Sequence, residues 1–376
     1  GRVLAGIARR HPDLADRIVT TSPDVTVSTN LGGWVNRRGV FSQSPQADVF
    51  HEDRPLSAQD WSMGPSGQHL ELGIAENNLF VLLAALGLTG PLFGVRLLPV
   101  GTLYDPFISR GLDALNYACY QDARFIVVGT PSGVTLAPEG GAHQSQITPS
   151  IGVEMPELDF YEPCFGQELE WIMLAALEQL RVRGRSTYLR LTSKRVDQGL
   201  FGLAYDQGAD VGGRDRIKQQ VLNGAYRLID RSAAPDYRPG VNVVHILASG
   251  AMIPEAIDAS EALYDEGVFA NVVNVTGPGP LYRRFQRSVS ATMSADSVTS
   301  RFMADSIPLD ARSAPVVTVV DGHPHSLAWI GGALKTVTLP LGVTEFGQSG
   351  SRPELYKEYG IDRQSIVAAC LGALEV

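Results

Sequence analysis

Several short runs in this chain are apolar almost from end to end: 92-LFGVRLLPV-100, 125-FIVVGT-130, 241-VNVVHILASG-250, 268-VFANVVNV-275 and 315-PVVTVV-320. A strand with one wet face alternates apolar and polar residues, whereas a strand covered on both faces does not. Helical stretches lie between the runs, such as 166–180 and 253–267, and further strands are expected at 18–22, 186–192 and 335–343. The order strand, Gly250, helix 253–267, strand 268–275 describes a right-handed crossover between parallel strands. The pattern predicts an α/β protein with two doubly wound domains and mostly parallel sheets. At 376 residues the chain exceeds one ordinary domain. The expected division is a first domain over 1–205, a linker over 206–240 carrying a helix at 216–230, and a second domain over 241–376. Residues 42–67 and 276–314 show no clear period and are expected to be irregular.

Composition narrows the function. Hydrophobic residues make up 44% and the formal net charge is −9, which suits a packed globular chain and argues against a nucleic-acid surface. Cys119, Cys164 and Cys370 form no CxxC pair and no metal-ligand cluster, so reduced thiols and a cytoplasmic setting are expected. No apolar run reaches membrane-spanning length without Gly, Pro or charge. The first 18 residues read as an amphipathic helix and not as a signal peptide. The absence of a starting Met suggests a piece of something longer.

The stretch 68-QHLELGIAENNLFVLLAALGLTG-90 places Glu76 inside a helix expected to open near Leu70 or Glu71 and to run to about residue 88. It is apolar nearly all round, which implies burial. A lone buried carboxylate is expensive, so Glu76 must be paired, neutral or functional. As a structural group it would sit at an interface or cap a neighbouring backbone; as a functional one it would partner a heterocyclic nitrogen. Asp24 lies in 22-SPDVTVSTNLGGWVNRRGVF-41, after the strand 18–22, where α/β proteins gather ligand contacts or simply make a turn. Tyr104 and Phe107 follow the strand ending at Val100, and His143 follows Gly140 and Gly141 in 131-PSGVTLAPEGGAHQSQ-146. A loop histidine there is either solvated or part of a site. His323 and His325, beside Asp321, make a weak metal signal and fit a loop-to-helix cap better. Lys194 and Arg195 after the last strand of the first domain meet either an anionic substrate group or water.

Three stretches, 69-HLELGIAENN-78, 101-GTLYDPFISRGLDAL-115 and 137-APEGGAHQSQ-146, occur in this order, each after the expected element. Together they resemble the pyrimidine-binding domain of the transketolase group of thiamine-diphosphate enzymes. The second unit resembles that group's C-terminal domain, notably through 345-EFGQSGSRPELYKEYGID-362. The resemblance is nearest to the single-chain, homodimeric type of 2-oxoacid dehydrogenase decarboxylating component, with transketolase the near neighbour. It implies that Glu76 hydrogen-bonds the N1′ nitrogen of the cofactor's aminopyrimidine and activates the cofactor. It implies that Tyr104 and Phe107 hold the pyrimidine, that Asp24 approaches the cofactor near its thiazolium, and that His143 does acid–base work facing the substrate.

The group's diphosphate is held, with Mg2+, on a separate domain by a Gly-Asp-Gly stretch that is missing from this chain. The resemblance therefore implies a partner domain or subunit that carries the phosphates, a site shared across a homodimer, and possible docking to an acyltransferase component of a 2-oxoacid dehydrogenase complex. The expected reaction is oxidative decarboxylation of a pyruvate-like 2-oxoacid. The alternatives are two-carbon ketol transfer between sugar phosphates, with Arg190, Lys194 and Arg195 as candidate phosphate contacts, and a non-catalytic assembly subunit that keeps the fold.

Overall fold

The computed structural model describes residues 1–46, 60–182, 184–205, 213–293, 302–308 and 311–376. Eight strands form one sheet: β1 (Ile18–Ser22), β2 (Val40–Phe41), β3 (Met63–Gly64), β4 (His69–Glu71), β5 (Leu98–Leu103), β6 (Ile126–Gly129), β7 (Leu158–Tyr161) and β8 (Ser186–Arg190), in the order β3-β2-β4-β1-β5-β6-β8-β7. Five form another: β9 (Tyr226–Ile229), β10 (Val243–Ala248), β11 (Phe269–Asn274), β12 (Val316–Val319) and β13 (Thr338–Leu341), in the order β13-β12-β10-β11-β9. β1 runs parallel to β4 and β5, and β10 to β11 and β12, while β9 pairs antiparallel with β11. The expected α/β architecture with mostly parallel sheets is what the chain adopts. Every residue of β5, β6, β10 and β11 is buried, which is why these runs lack a polar alternation.

The chain divides into two compact units, one of Gly1–Pro131, Met155–Leu158 and Met173–Leu189, the other of Ser132–Glu154, Asp159–Ile172 and Arg190–Val376. In the first unit the helix Glu76–Gly87 buries Leu79, Phe80 and Leu83. Leu83 and Leu79 lie so close over Gly101 of β5 that a Cβ there would come within 2.7 Å of the Leu83 side chain. The second unit packs Leu247, Val273, Leu281, Val316, Leu327 and Ile330 into one cluster.

Several sequence expectations need correction. The helix around Glu76 does not open at Leu70 or Glu71, because Leu70 and Glu71 pair with Thr21 and Ser22 of β1. The chain turns at Gly73, with φ +64, and the helix begins at Glu76. Nor is this helix buried all round: Val81 is 55% exposed, and Ile74 just before it 77%. The apolar run 92–100 is not one strand. Thr89–Phe93 is helical, Gly94 ends it at φ 74, and β5 starts at Leu98. The stretch 281–288 belongs to a helix, Pro278–Met293. Pro278 and Pro280 fall in its first turn, where a missing N–H costs nothing, so they start the helix instead of breaking it. The helix expected at 216–230 is Gly213–Asn223, after which Gly224 at φ +104 turns the chain into β9. The opening amphipathic helix is broken in two at His11, before Pro12. Of the excursion 42–67, residues 47–59 lie outside the described residues.

One buried acid in the second unit supports the start of the helix Gly166–Arg181. Glu168 Oε2 accepts from the backbone N–H groups of Cys164 (2.8 Å) and Phe165 (2.9 Å), and Oε1 accepts from the Tyr226 hydroxyl (2.6 Å) and the Asn274 amide (2.8 Å). Burial pushes its pKa up; the bonds from Phe165, Tyr226 and Cys164 pull it back, leaving it raised from 4.5 to about 7. A carboxyl that binds its proton more tightly when folded favours the fold below its unfolded value. That contribution fades as pH rises from 4.5 towards 7. Urea melts between pH 5 and 8 should show stability falling across this window, and Glu168→Gln should flatten that slope.

Candidate functional site

In parallel α/β sheets, ligands collect beyond the C-terminal ends of the strands. Here β1 ends at Ser22, β4 at Glu71 and β5 at Leu103. A polar chain, buried at Thr20, Thr26 and His69 and reaching the surface at Glu71, joins the first two ends. His69, fully buried, meets Thr20 Oγ1 through Nδ1 (2.9 Å) and Thr26 Oγ1 through Nε2 (2.8 Å). Thr26 gives its one hydroxyl proton to Glu71 Oε2 at 2.5 Å. With that proton committed to Glu71, Thr26 Oγ1 accepts from His69 Nε2–H. Glu71 Oε1 accepts from the Asp24 backbone N–H (2.8 Å), which holds Asp24 at φ +65. Burial pushes the Glu71 pKa up, but the bonds from His69, Thr26 and Asp24 outweigh it and leave it below the usual range. The carboxylate thus anchors the loop that presents the exposed Asp24 side chain. Sequence reading singled out Asp24 and missed Glu71 and His69, although their every-other-residue spacing on a strand places both on one face.

Glu76 is the first residue of its helix and only 7% exposed. Its Oε1 accepts from Arg110 Nη1 at 2.9 Å, and among the described residues Oε2 accepts no hydrogen bond. The Arg110 guanidinium lies 3.8 Å from the centroid of the Phe107 ring, so it bridges the acid and the aromatic turn. Tyr104 and Phe107 are half-buried, with centroids 6.1 Å apart and planes 11° from parallel. Their turn, Asp105–Gly111, is fixed by buried Asp105, which accepts from the Tyr188 hydroxyl. The structure therefore brings Glu76, Phe107 and Arg110 into one cluster at the sheet's C-terminal end, with Tyr104 alongside. Arg110 sits inside a quoted motif, but its role shows only in three dimensions. A buried carboxyl with one oxygen steadied and the other open, next to flat aromatic faces, fits a heteroaromatic ring that carries a protonatable nitrogen.

His143 belongs to the second unit. It ends the short turn Gly141–His143 and is half-buried. Its loop is tightly held. Gln144 Nε2 donates to the carbonyls of Ala137 and Gln348, each at 3.0 Å. Asp321 accepts from the Val134 (2.8 Å) and Thr135 (3.0 Å) N–H groups. Gly140 has φ +91, and a Cβ on Gly141 would stand 2.1 Å from the Gly347 carbonyl oxygen. The resembling stretches 137–146 and 345–362 thus touch each other within this unit.

Arg190 is not a surface phosphate contact. It is 1% exposed and bound at every nitrogen, to Glu162, Ser145, Thr148 and the Asp321 carbonyl. Lys194 is also engaged, donating to the Ala251 carbonyl (3.0 Å) and Glu255 (3.4 Å) beside the Tyr356 ring. Desolvation lowers its pKa, against the pull of Glu255. Arg195 is exposed. His323, half-buried, accepts at Nδ1 from the His325 N–H, and exposed His325 starts the helix His325–Leu334. Among the described residues no group of three or more His, Cys, Asp or Glu side chains could hold a metal ion.

The fold is an α/β architecture with two mostly parallel sheets, and comparison with known proteins gives its family. The model of the transketolase pyrimidine-binding domain matches residues 3–197, and that of the transketolase-like C-terminal domain matches 224–362. The chain belongs to the transketolase family, whose members use thiamine diphosphate. It is 27% identical over 384 residues to the pyruvate dehydrogenase E1 component of Corynebacterium glutamicum, covering 97% of this chain and 38% of that protein. The chain thus spans about two fifths of the length of that relative. In fold it matches the transketolase from Leishmania mexicana with a TM-score of 0.68 at 20% identity, covering 99% of this chain and 44% of that one. It also matches a split-gene transketolase, described as an inactive beta4 tetramer, with a TM-score of 0.63 at 18% identity, covering 100% of this chain and 96% of that one.

Proposed function

We propose that this chain supplies the pyrimidine-activating half of a thiamine-diphosphate-dependent enzyme that oxidatively decarboxylates a pyruvate-like 2-oxoacid. The observation that carries the reading is Glu76, a buried acid at a sheet's C-terminal edge with Arg110 on Oε1 and an open Oε2. When bound, the cofactor supplies a stabilised carbanion at its thiazolium carbon. Glu76 holds the proton shared with the pyrimidine ring nitrogen, and Arg110 keeps the carboxyl oriented. Tyr104 and Phe107 cover the ring and keep water from it. Asp24, presented by Glu71, lines the same edge. His143 moves a proton at the substrate, on a loop rigid enough to aim it.

The phosphates and Mg2+ of the cofactor belong on a second domain or subunit, which the split-gene relative's description supports. A homodimer is supported by the apolar surface beside Glu76, where Ile74 and Val81 stand exposed in the lone chain. Docking to an acyltransferase component, a cytoplasmic location and the domain division 1–205, 206–240 and 241–376 complete the reading. Among the described residues no helix is long and apolar enough to cross a membrane.

Ketol transfer between sugar phosphates is the second reading, favoured by the fold matches to transketolases. It needs open basic groups for a phosphate tail, and burial removes Arg190 from the candidates. A substrate panel on the assembled enzyme separates the two. Turnover of a 2-oxoacid with an artificial electron acceptor is expected. Turnover of ketose and aldose phosphates alone would overturn the oxoacid reading.

A further inference from the structure

At the end of β1 and β5 opposite Ser22 and Leu103, a groove of about 690 Å3 opens in the first unit. Its walls carry Arg10, Arg17, Arg96 and Arg181, with His11, against one lining carboxylate, Asp13. This concentration runs against the composition of a chain with formal net charge −9. Two of the arginines have local reasons for their places. Arg10 ends the helix Arg2–Arg10 and Arg181 ends Gly166–Arg181, where a positive charge complements the helix dipole. Arg17 and Arg96 lie outside any helix. They precede β1 and β5, and the pairing of Ile18 with Leu98, with the Leu98 N–H bonded to the Arg17 carbonyl at 2.8 Å, carries both to the same wall. Arg181 pairs at 2.8 Å with exposed Glu178, and Arg10 is also engaged, so the positive charge offered to a ligand rests on Arg17 and Arg96.

Like charges gathered in a concave surface repel one another, and a bound anion relieves that repulsion while the groove walls focus the field on it. Guanidinium forks match phosphate oxygens two at a time. The volume falls within the range of small-molecule sites. We propose that this groove binds a small molecule bearing a diphosphate or longer phosphate chain. Along β1 it lies roughly 15 Å from Ser22, so it is a separate site from the Glu76 cluster and does not depend on the function proposed for that cluster.

The test is calorimetric titration of the full chain with inorganic phosphate, pyrophosphate and ATP. Saturable pyrophosphate binding is expected, tighter than that of phosphate, weakened by added salt, and reduced at least tenfold by Arg17→Glu combined with Arg96→Glu. Glu178→Gln frees Arg181 and should tighten binding about twofold or more. ATP binding more tightly than pyrophosphate extends the ligand class to nucleotides; equal affinities assign recognition to the phosphates alone. The proposal is overturned if neither pyrophosphate nor ATP saturates at millimolar concentration, or if the double variant binds them unchanged. Should the double variant fail to fold, an unchanged affinity in Glu178→Gln overturns it instead. Binding of an acidic peptide without binding of either phosphate probe also overturns it.

Discussion

Glu76→Ala, assayed with the diphosphate-binding half present, is expected to lower turnover by about 10²- to 10⁴-fold while the fold survives. The substitution removes the proton-holding group. It leaves Arg110 without its carboxylate, but that side chain is 53% exposed, so water takes over its solvation and little stability is lost. Glu76→Gln is the sharper variant. The amide keeps the shape and an acceptor for Arg110, yet it cannot exchange an acid proton with a ring nitrogen. Its turnover should fall nearly as far as that of alanine, with a smaller effect on cofactor affinity. The measurement is kcat with a 2-oxoacid and an artificial electron acceptor, with circular dichroism to confirm folding. Undiminished turnover in both variants would support the assembly-subunit reading and end the proton-holding role.

The parallel sheets were legible because burial on both faces leaves a mark in sequence: β5, β6, β10 and β11 each read as near-continuous apolar runs. Boundaries were less so. The helix at Glu76 and the strand before it share the run HLELGIAEN, and only pairing with β1 shows where one stops. The helix Pro278–Met293 fell in a stretch expected to be irregular, because proline stops a helix from within yet starts one at its end. Exposed Val81 and Ile74 show a second limit. An apolar residue in a run can be buried or exposed, and its side chain alone does not say which. In the site, Glu76 stood out because a carboxylate amid apolar residues is a visible anomaly. Arg110, Glu71 and His69 did not, because a charged or polar residue near a strand end or turn is ordinary until its partner is known. Arg190 misled for the same reason: nothing in YLRLTSKR distinguishes an arginine that reaches for a ligand from one folded inward onto Glu162.

That inward arginine leads to the second large effect. Arg190→Leu is expected to destabilise the second unit by about 3–5 kcal/mol. Arg190 Nη1 donates to Glu162 Oε1 at 2.5 Å, and the two side chains are 1% and 5% exposed. Nη2 donates to Ser145 Oγ (3.1 Å) and the Asp321 carbonyl (2.7 Å), and Nε to Thr148 Oγ1 (3.3 Å). Leucine fills part of the volume but strands the Glu162 charge where water cannot reach it, and that desolvation is the main cost. Replacing both partners, Arg190→Met with Glu162→Leu, removes the stranded charge and should recover more than half of the loss in urea melts. The function should not recover with it. Ser145 and Thr148 lie just beyond His143, and with Asp321 capping Val134 and Thr135 the guanidinium ties both ends of that loop to one point. The double variant is therefore expected to be stable, to exchange the loop amides of residues 141–146 with solvent faster than the parent, and to lose turnover more than it loses stability. A double variant with full turnover would show that the aim of His143 does not depend on this anchor.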